Sequence, residues 1–387
     1  MLNWLRSLPF LVLIGLMAAL LGACSTNPAT GQSDFTIVSA AEERQIGAEA
    51  HPQVVEQFGV YEEFPDLNAY VAIISSRLHS VSEMSNQPFT FSLLDSDMVN
   101  AFAIPGGYVY VTRGLMALAN SEAELAGVIG HEIGHVIARH GAQRMTQQTL
   151  AGLGVAVVGI ALQDRNLMNL AGAGAMAWIT GYSRSQELAS DELGVRYLTR
   201  AGYDPFSMAS FLEQLERQSQ LARQFAFQDN EPDPANSWFA THPRTQDRVV
   251  AAAEIASIGL VDPFVGRNTY LRQIDGMVFG DSPAQGFIRG RVFSHPELRL
   301  TFEVPDGFRM VNAPTHVTAF NRDGAAIIFD GGAYSGGSMV NYTQTWITEL
   351  AGRQMALNDL ESITINGREA ATGWVRLPLQ QGDSEVR

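Results

Sequence analysis

The stretch VIGHEIGHVIA, residues 128–138, decides how the rest of the chain is interpreted. At about 100° per residue, His131 and His135 lie four positions apart on one face of a helix. Two imidazoles in that arrangement can both reach one Zn²⁺, and Glu132 beside them can hold a water on the metal. Without partners, such polar residues would be costly to bury in an apolar helix. The stretch therefore predicts a zinc site, for which a third ligand must be found.

The third ligand is expected from the stretch YSRSQELASD, residues 182–191, on a helix that should end near Gly202. Glu187 can reach across to the two histidines and complete a three-ligand site with one open position. Asp191, one turn further, can accept the second ring N–H of a ligating histidine and fix its tautomer. Taken alone, the two acidic residues fit a solvated helix face better than a metal site. The upstream motif favours the metal interpretation.

His140 is a further histidine near the motif, and we expect it not to bind the metal. It follows His131 by nine positions, so on a continuous helix it points roughly 180° away. The longer three-histidine metalloprotease pattern requires Gly and His where this chain has Ala138 and Gly141. A cation at the end of a helix that Gly141 terminates is the better interpretation.

Capping signals and hydrophobic periodicity predict the surrounding elements. Capping boxes at Ser39–Glu42 and Ser121–Glu124 begin two helices, of which the first should reach about Glu49. A helix from Pro65 is predicted by apolar residues that recur every three or four positions, Leu67, Val71, Ile74, Leu78 and Val81. Alternating apolar residues predict strands at 89–93, 99–104 and 108–112. The pattern favours a mainly α domain with a small β-sheet, an α+β fold.

The N-terminus is typical of an exported lipoprotein. Residues 1–23 combine Arg6 with an apolar core and small residues before Cys24, as in a bacterial lipoprotein signal peptide. Cys24 is the only cysteine, which excludes a disulfide within the chain and favours lipidation. Residues 24–34 are predicted to be a lipidated polar tether. Because Ser25 rather than Asp follows the cysteine, we expect a periplasmic protein anchored to the outer membrane.

Composition fits a globular protein, with 46% hydrophobic and 17% charged residues among 387. The formal net charge of −15 and the lack of a basic run argue against nucleic acid as a partner. Two apolar, Gly-rich runs at 150–162 and 167–179 are shorter than the roughly 20 residues of a spanning helix. A buried helical hairpin, contact with a membrane surface and a mobile cover over the cleft all remain open for them.

From Pro263 on, short strand-like runs alternate with Gly-rich turns. This shift predicts a separate α+β C-terminal domain at 263–387, of unknown role, after a metallopeptidase-like domain at 35–262. His295 and His316 have no acidic or histidine partners at ligand spacing. We expect them to be structural or exposed.

Three motifs in this order resemble the zinc metallopeptidases related to HtpX and the CaaX prenyl proteases. The motifs are NAFAIPGG at 100–107, HEIGH at 131–135, and Ser183-Arg184 before Glu187 and Asp191. The resemblance covers roughly residues 35–260 and is closest to the soluble periplasmic branch of this gluzincin family. It implies a zincin-like fold, with Glu187 as the third zinc ligand and Asp191 behind the ligands.

The resemblance also implies how substrate meets the site. Asn100, Ala101, Phe102 and Ala103 are expected in an edge strand beside the cleft, where an unfolded segment can pair through its main chain. His242, in a His-Pro pair followed by Arg248, is implied to approach the metal or the developing oxyanion. Sequence alone would leave His242 a loop histidine.

These observations predict a zinc-dependent endopeptidase with one Zn²⁺ per chain, acting on unfolded or misassembled envelope proteins. Glu132 is expected to take a proton from metal-activated water and deliver it to the leaving amine, with His242 helping at the oxyanion. The alternative is a periplasmic chaperone or assembly factor for outer-membrane proteins that cuts rarely, with the outer-membrane protein assembly machinery as partner. A structural zinc with four protein ligands is a third interpretation.

Overall fold

The computed structural model describes residues 24–150, 181–229, 238, 242, 246–257, 262–312, 316–321, 324–331, 334, 336–351, 354–379 and 382–386. The predicted signal peptide and almost all of the two apolar runs between 150 and 179 lie outside the described residues. The chain divides into two compact units, Met1–Ile328 and Phe329–Arg387. The domain boundary expected at 262/263 stays a prediction.

The first unit begins with a helical part that contains a two-stranded hairpin and a three-stranded sheet. Its elements are β1 (Cys24–Thr26), β2 (Ser33–Phe35), α1 (Ala40–Phe58), α2 (Pro65–Ser80), β3 (Thr90–Leu94), β4 (Ala101–Ile104), β5 (Tyr108–Thr112), α3 (Arg113–Leu118), α4 (Glu122–Ile137), α5 (residues 140–150), α6 (Arg184–Arg200), α7 (Ser207–Asp229), α8 (Gln246–Ala256) and α9 (Arg267–Gln273). The predicted mainly α fold with a small β-sheet is confirmed.

Strand-rich elements follow in the rest of the chain. In the first unit these are β6 (Phe287–Arg289), β7 (Val292–His295), β8 (Leu300–Glu303), β9 (Arg309–Asn312), β10 (His316–Phe320) and β11 (Ala326–Asp330), the last of which crosses into the second unit. The second unit contains α10 (Met339–Ala351), β12 (Asn358–Ile365), β13 (Arg368–Leu379) and β14 (Gly382–Val386), and α10 packs against β12 and β13.

The sheet of the helical part has the strand order β3-β5-β4. Strand β3 runs parallel to β5, whereas β4 is antiparallel to it, with Phe102 opposite Tyr110 and Ala103 opposite Val109. Strand β4 therefore lies at an edge of the sheet, and one side of its main chain has no strand partner among the described residues.

Helix starts follow the capping signals with one difference. Ser39 forms the complete predicted capping box with Glu42, and α1 continues beyond Glu49 to Phe58. Ser121 caps α4 by accepting a hydrogen bond from the Glu124 amide. The Glu124 carboxylate, however, accepts hydrogen bonds from the Asn120 amide and the Ser210 hydroxyl, so the second box is incomplete. A tertiary contact with α7 competes for the carboxylate that the sequence pattern assigns to the cap.

Helix α4 forms the centre of the main core and is buried on nearly all sides. The predicted stripe of α2 packs against it, with Leu67, Val71, Ile74 and Leu78 buried and Val81 partly buried. Because α4 is shielded all round, its polar residues must be satisfied by neighbouring elements rather than by water.

The segment predicted to be a polar tether forms a hairpin against the end of α4. Strands β1 and β2 pair antiparallel, and Asn27 Nδ2 donates hydrogen bonds to Asp34 Oδ2 at 2.8 Å and to the Ala138 carbonyl at 3.2 Å. Gln143 Nε2 donates to the same carbonyl at 3.1 Å. Polar side chains of this segment thus donate hydrogen bonds to a carbonyl at the end of a buried helix. Composition alone cannot distinguish such a segment from a solvated linker.

The helix break after the motif differs from the prediction. Helix α4 ends at Ile137, Arg139 has a φ of 56°, and a new helix begins at residue 140, so Gly141 does not terminate α4. Arg139 is held in this left-handed conformation by its side chain, which donates to Glu43 Oε2 and to the Val38 carbonyl, both at 2.8 Å. Few residues other than Gly adopt a positive φ, so an arginine at this position does not indicate a helix break.

Residues after α8 also pack on the helical core. Tyr270 donates to the Met116 carbonyl at 2.6 Å, and Arg113 Nη1 donates to the carbonyls of Val278 and Gly280 at 2.7 Å each. Among the described residues, none of the helices combines the length and apolarity needed to cross a bilayer.

The first prediction concerns Gly47, where α1 meets the turn between β4 and β5. A Cβ at Gly47 would lie 1.9 Å from the Pro105 carbonyl oxygen and 2.9 Å from the Tyr108 ring. We expect Gly47→Ala to lower the free energy of unfolding by about 1–3 kcal/mol, since backbone must shift to admit the methyl group. Urea denaturation measures the change.

The control is Gly141→Ala, whose Cβ would meet only the Pro105 ring, at an ordinary 3.6 Å. Alanine is the better helix former, so this variant should be as stable as the wild type or slightly more stable. Equal stability of Gly47→Ala and the wild type would contradict the close contact between α1 and the turn.

Candidate metal centre

Helices α4 and α6 approach closely because glycines lie where they cross. A Cβ at Gly130 would lie 3.2 Å from Gly194 Cα, and a Cβ at Gly194 would lie 3.1 Å from the His131 amide nitrogen. A Cβ at Gly134 would lie 3.1 Å from Leu193 Cβ. Larger side chains would separate the two helices. The close crossing allows the short side chain of Glu187, in the first turn of α6, to reach the histidines of α4.

Four buried side chains converge at this crossing: His131, His135, Glu187 and His242, each at most 1% exposed. One ligand atom from each lies within 4.8 Å of the others. The Nε2 atoms of His131 and His135 are 2.9 Å apart, and His135 Nε2 lies 3.4 Å from Glu187 Oε1. His242 Nδ1 lies 3.0 Å from Glu187 Oε1 and 3.3 Å from His131 Nε2. The structure brings together the three predicted ligands and His242.

The donor set fits a zinc ion. Nitrogen and carboxylate ligands at 2.0–2.2 Å in a tetrahedron lie about 3.3 Å from one another, close to the spacing seen here. Burial lowers the pKa of His135 well below its usual value and that of His242 to about 4, so both are neutral, as ligands must be. The predicted cofactor, one Zn²⁺ per chain, therefore has a matching group of residues.

Charge balance leads to the same conclusion. Glu132, Glu187 and Asp191 are buried within this centre, and Arg248 is the buried cation beside them. When all three carboxyl groups are ionised, the centre carries two more negative than positive charges. A divalent cation would neutralise that excess, whereas without one the cost of buried charge favours protonation of a carboxyl group.

Glu132 lies on α4 next to the ligands without a close partner. Neither carboxylate oxygen has a well-aligned hydrogen-bond partner among the described residues, although the main-chain amide of Ala103 is nearby, and Oε1 lies 3.4 Å from His242 Nε2. Burial, followed by the charge of Glu187, raises its pKa well above the usual value, while Arg248 and the main-chain amide of Ala103 oppose this rise. A carboxyl group beside the metal ligands can accept a proton from a neighbouring water and pass it on.

Asp191 lies where the sequence predicted, behind His131. Its Oδ1 is 2.8 Å from His131 Nδ1, and Arg248 donates to both of its oxygens, at 2.7 and 2.8 Å. These hydrogen bonds lower the pKa of Asp191 although burial alone would raise it. Arg248 Nη1 also lies 2.6 Å from Glu187 Oε2, outside hydrogen-bond alignment. One guanidinium thus orients two carboxylates of α6, a role the sequence did not assign to it.

His140 does not point away from the site, contrary to prediction. Because the chain turns at Arg139, His140 Nδ1 comes within 2.9 Å of His135 Nδ1 and 3.3 Å of Ser190 Oγ. Burial lowers its pKa to about 4, so it is not the cation expected at a helix end. When His135 binds a metal through Nε2, its Nδ1–H donates to His140.

Two aromatic rings that sequence reasoning missed pack against the histidines. Tyr182 stacks on His135 with ring centroids 3.7 Å apart, and Trp238 stacks on His242 at 4.0 Å, each at an interplanar angle of 19°. Both residues lie outside the two motif-bearing helices, so no spacing rule connects them with the ligands. A tyrosine immediately before a helix cap and a tryptophan four residues before His242 were the only signals.

The other predicted residues have definite positions. Ala101, Phe102 and Ala103 lie in the edge strand β4. Asn100 precedes this strand and is buried, and its main-chain N–H donates to Thr112 Oγ1 at 3.1 Å. Cys24 begins β1 opposite Phe35.

Comparison with known proteins agrees with this geometry, since residues 65–256 match peptidase family M48. These residues form an M48 peptidase domain. The predicted zinc metallopeptidase family is thereby confirmed for this domain.

Named relatives share the M48 domain. The chain is 30% identical over 230 residues to the beta-barrel assembly-enhancing protease of Escherichia coli K12, covering 57% of this chain and 47% of that protein. It is 35% identical over 164 residues to the Yersinia pestis protein of the same name, covering 40% and 34%. The mitochondrial metalloendopeptidase OMA1 of Schizosaccharomyces pombe is 25% identical over 210 residues, covering 53% and 61%. The chain thus spans less than half the length of the two bacterial relatives.

The second prediction tests the contact between His140 and His135. Removing the acceptor in His140→Leu should lower zinc affinity roughly 10- to 100-fold, because the ring of His135 is no longer oriented. His140→Asn retains an acceptor oxygen near the position of Nδ1 and should lose much less. Competition with a chromophoric chelator measures both affinities.

Thermal denaturation of the metal-free proteins is the control for folding in this experiment. Wild-type zinc affinity in His140→Leu would show that His140 does not orient the ligand. Equal losses in the two variants would show the same.

Proposed function

We propose that this protein is a zinc-dependent endopeptidase. The observation that carries the proposal is the buried group of His131, His135 and Glu187, with Glu132 adjacent and only loosely partnered. A purely structural zinc would not require a buried carboxylate beside the ligands. The M48 domain supports the same reaction class.

Bound zinc supplies a Lewis acid that activates water and polarises the peptide carbonyl. Glu132 takes the proton from the attacking water and passes it to the leaving amine, for which its raised pKa is suited. Asp191 and Arg248 fix the orientation of His131 and Glu187, so the ligands need no rearrangement during the reaction. Tyr182 and Trp238 cover the ligand rings and exclude water from those faces.

His242 has two roles in this proposal. Its Nδ1 is close enough to complete a set of four protein ligands, whereas a catalytic zinc requires an open position. We infer a resting arrangement in which His242 occupies that position and must turn away before water enters. In the present arrangement His242 Nε2 lies 3.4 Å from Glu132 Oε1, so the histidine is beside the proposed base. Once released from the ligand position, the ring would be available to stabilise the developing oxyanion.

The substrates we propose are unfolded or misassembled envelope polypeptides. The free edge of β4 supports this, because an extended segment can pair with its main chain whereas a folded surface cannot. The Escherichia coli and Yersinia pestis relatives are named for enhancing beta-barrel assembly. By that likeness we propose that this protein acts in the periplasm, anchored to the outer membrane through lipidated Cys24.

The third prediction separates the general base from a metal ligand. Glu132→Gln should lower the rate of casein cleavage about 10²- to 10⁴-fold, because the amide cannot accept the proton. Zinc should stay bound. Glu187→Ala should lose both zinc and activity. Metal analysis and a degradation assay measure the two properties on the same preparations.

Cleavage by Glu132→Gln at the wild-type rate, with contaminating proteases excluded, would end the assignment of the base. Full zinc occupancy in Glu187→Ala would remove it from the ligand set. The alternative function, a chaperone or assembly factor, predicts that Glu132→Gln still suppresses aggregation of an unfolded barrel protein. Suppression without any cleavage in the wild type would favour that alternative.

The fourth prediction concerns the anchor. Cys24→Ser should move the protein from the membrane fraction to the soluble periplasmic fraction, since it removes the thiol that would carry the lipid. Fractionation with metabolic acyl labelling measures this, and Glu132→Gln is the control that should remain with membranes. Unchanged sedimentation of Cys24→Ser with membranes would contradict lipid anchoring.

A further inference from the structure

The N-terminal hairpin, residues 24–35, precedes the M48 domain, which matches from residue 65 onward. It nevertheless contacts residues 138–143, where α4 ends and α5 begins. This junction contains His140, whose Nδ1 lies 2.9 Å from Nδ1 of the ligand His135. Because groups behind a metal ligand set its orientation, a segment that holds this junction can affect the metal centre without touching it.

Arg139 forms the turn of this junction and has a φ of 56°. Residues other than Gly rarely adopt this left-handed conformation, so side-chain contacts must maintain it here. The buried guanidinium of Arg139 donates to Ser25 Oγ in the hairpin. It also donates, at 2.8 Å each, to Glu43 Oε2 and to the Val38 carbonyl. These contacts, all with the N-terminal part of the chain, hold the turn.

The hairpin also fixes the carbonyl of Ala138, the residue before the turn. Asn27 Nδ2 donates to this carbonyl at 3.2 Å, and Gln143 Nε2 donates to it at 3.1 Å. Asp34 Oδ2 of the hairpin accepts a hydrogen bond from each of these two amide groups, at 2.8 Å. The carbonyl belongs to the planar peptide unit that leads into Arg139, so its two donors restrict the rotation that would change φ there.

The same network reaches the helix that carries the third ligand. Gln143 Oε1 accepts a hydrogen bond from Gln186 Nε2 at 3.0 Å. Gln186 forms the capping box of α6 with Ser183 and immediately precedes Glu187. The hairpin is therefore connected to the end of α4 and to the first turn of α6, the two elements whose crossing forms the metal centre.

We propose that the N-terminal hairpin is part of the catalytic apparatus and positions the ligand His135 by holding the turn at Arg139. Asn27 and Arg139 are positioning residues, which act on the ligand through His140. The inference rests on the proposed zinc-dependent function and adds to its site a segment that lies before the M48 domain. A purely structural role of the hairpin would change the stability of the fold without changing the affinity for zinc.

The first arm of the test compares Arg139→Ala with Arg139→Gly in the full-length chain. Both variants lose the same guanidinium contacts and leave Glu43 without its cation, but Gly adopts a positive φ readily whereas Ala does not. Arg139→Ala should lower zinc affinity about tenfold or more, because His140 no longer orients His135. Arg139→Gly should bind zinc roughly fivefold or more tightly than Arg139→Ala, because the turn remains accessible without the side chain.

The second arm tests the hairpin itself. Asn27→Asp is nearly isosteric and keeps the oxygen that accepts from the Ala29 amide, but it cannot donate to the Ala138 carbonyl. It should lower zinc affinity roughly tenfold. Thr30→Ala is the matched control, because Thr30 is exposed in the hairpin loop and its hydroxyl accepts from the Gln32 amide within the hairpin. This variant should bind zinc as the wild type does.

Competition with a chromophoric chelator measures zinc affinity, and urea denaturation of the metal-free proteins measures stability. The visible absorption of the cobalt-substituted proteins reports the arrangement of the ligands, and Arg139→Gly should resemble the wild type more closely than Arg139→Ala does. If the unpaired Glu43 carboxylate prevents folding, the same Ala and Gly pair is made in a Glu43→Gln background, where that charge is absent.

Equal zinc affinities of Arg139→Ala and Arg139→Gly, whether normal or lowered, would overturn the role of the turn. Wild-type affinity in Asn27→Asp, or an equal loss in Thr30→Ala, would overturn the role of the hairpin. If the wild type binds zinc but cleaves no casein, the proposed function fails, while the positioning of His135 is still decided by these affinities. If the wild type binds no zinc, both fail.

Discussion

The close crossing of α4 and α6 is the constraint on which the rest of the structure depends. Gly130, Gly134 and Gly194 leave no side chain between the two backbones, and a Cβ added at any of them would lie only 3.1–3.2 Å from an atom of the other helix. His131 and His135 alone offer two ligands. Glu187 completes the group only because the crossing brings the first turn of α6 over the same face of α4. A methyl group at Gly194 would already meet the His131 backbone, so the distance between the helices and the geometry of the centre cannot change independently.

The Nδ1 atoms of the two histidine ligands of α4 have different hydrogen-bond partners. His131 faces Asp191, which Arg248 keeps ionised, whereas His135 faces the neutral ring of His140. A carboxylate partner increases the basicity of a ligating imidazole more than a neutral imidazole does. The two histidine ligands, equivalent in the sequence motif, are therefore unequal in their surroundings.

Much of the fold and of the site could be predicted from local pattern. Helical periodicity places His131 and His135 on one face, and the family resemblance identifies Glu187 from a motif more than fifty residues away. The strands at 101–104 and 108–112 and the complete cap at Ser39 also follow from local signals. Each of these depends on residues close together in sequence or on a pattern shared by a family.

What could not be predicted depends on contacts between distant segments. The left-handed turn at Arg139 is stabilised by Glu43 and Val38, about a hundred positions earlier, and that turn alone brings His140 back to His135. Glycine at 141 looked like the helix terminator because local rules favour it there. The stacking of Tyr182 and Trp238 and the docking of the N-terminal hairpin likewise have no local signal.

The N-terminal hairpin limits the distance between Cys24 and the metal centre. Thr26 lines a cavity whose wall also includes His135 and Tyr182. Cys24 lies two residues before Thr26, which is about 7 Å of extended chain. If Cys24 carries the acyl chains as proposed, no long flexible linker separates the lipid from the metal centre. The catalytic centre would then work in a thin layer next to the bilayer, meeting polypeptides stalled at the membrane surface and missing those that diffuse freely through the compartment.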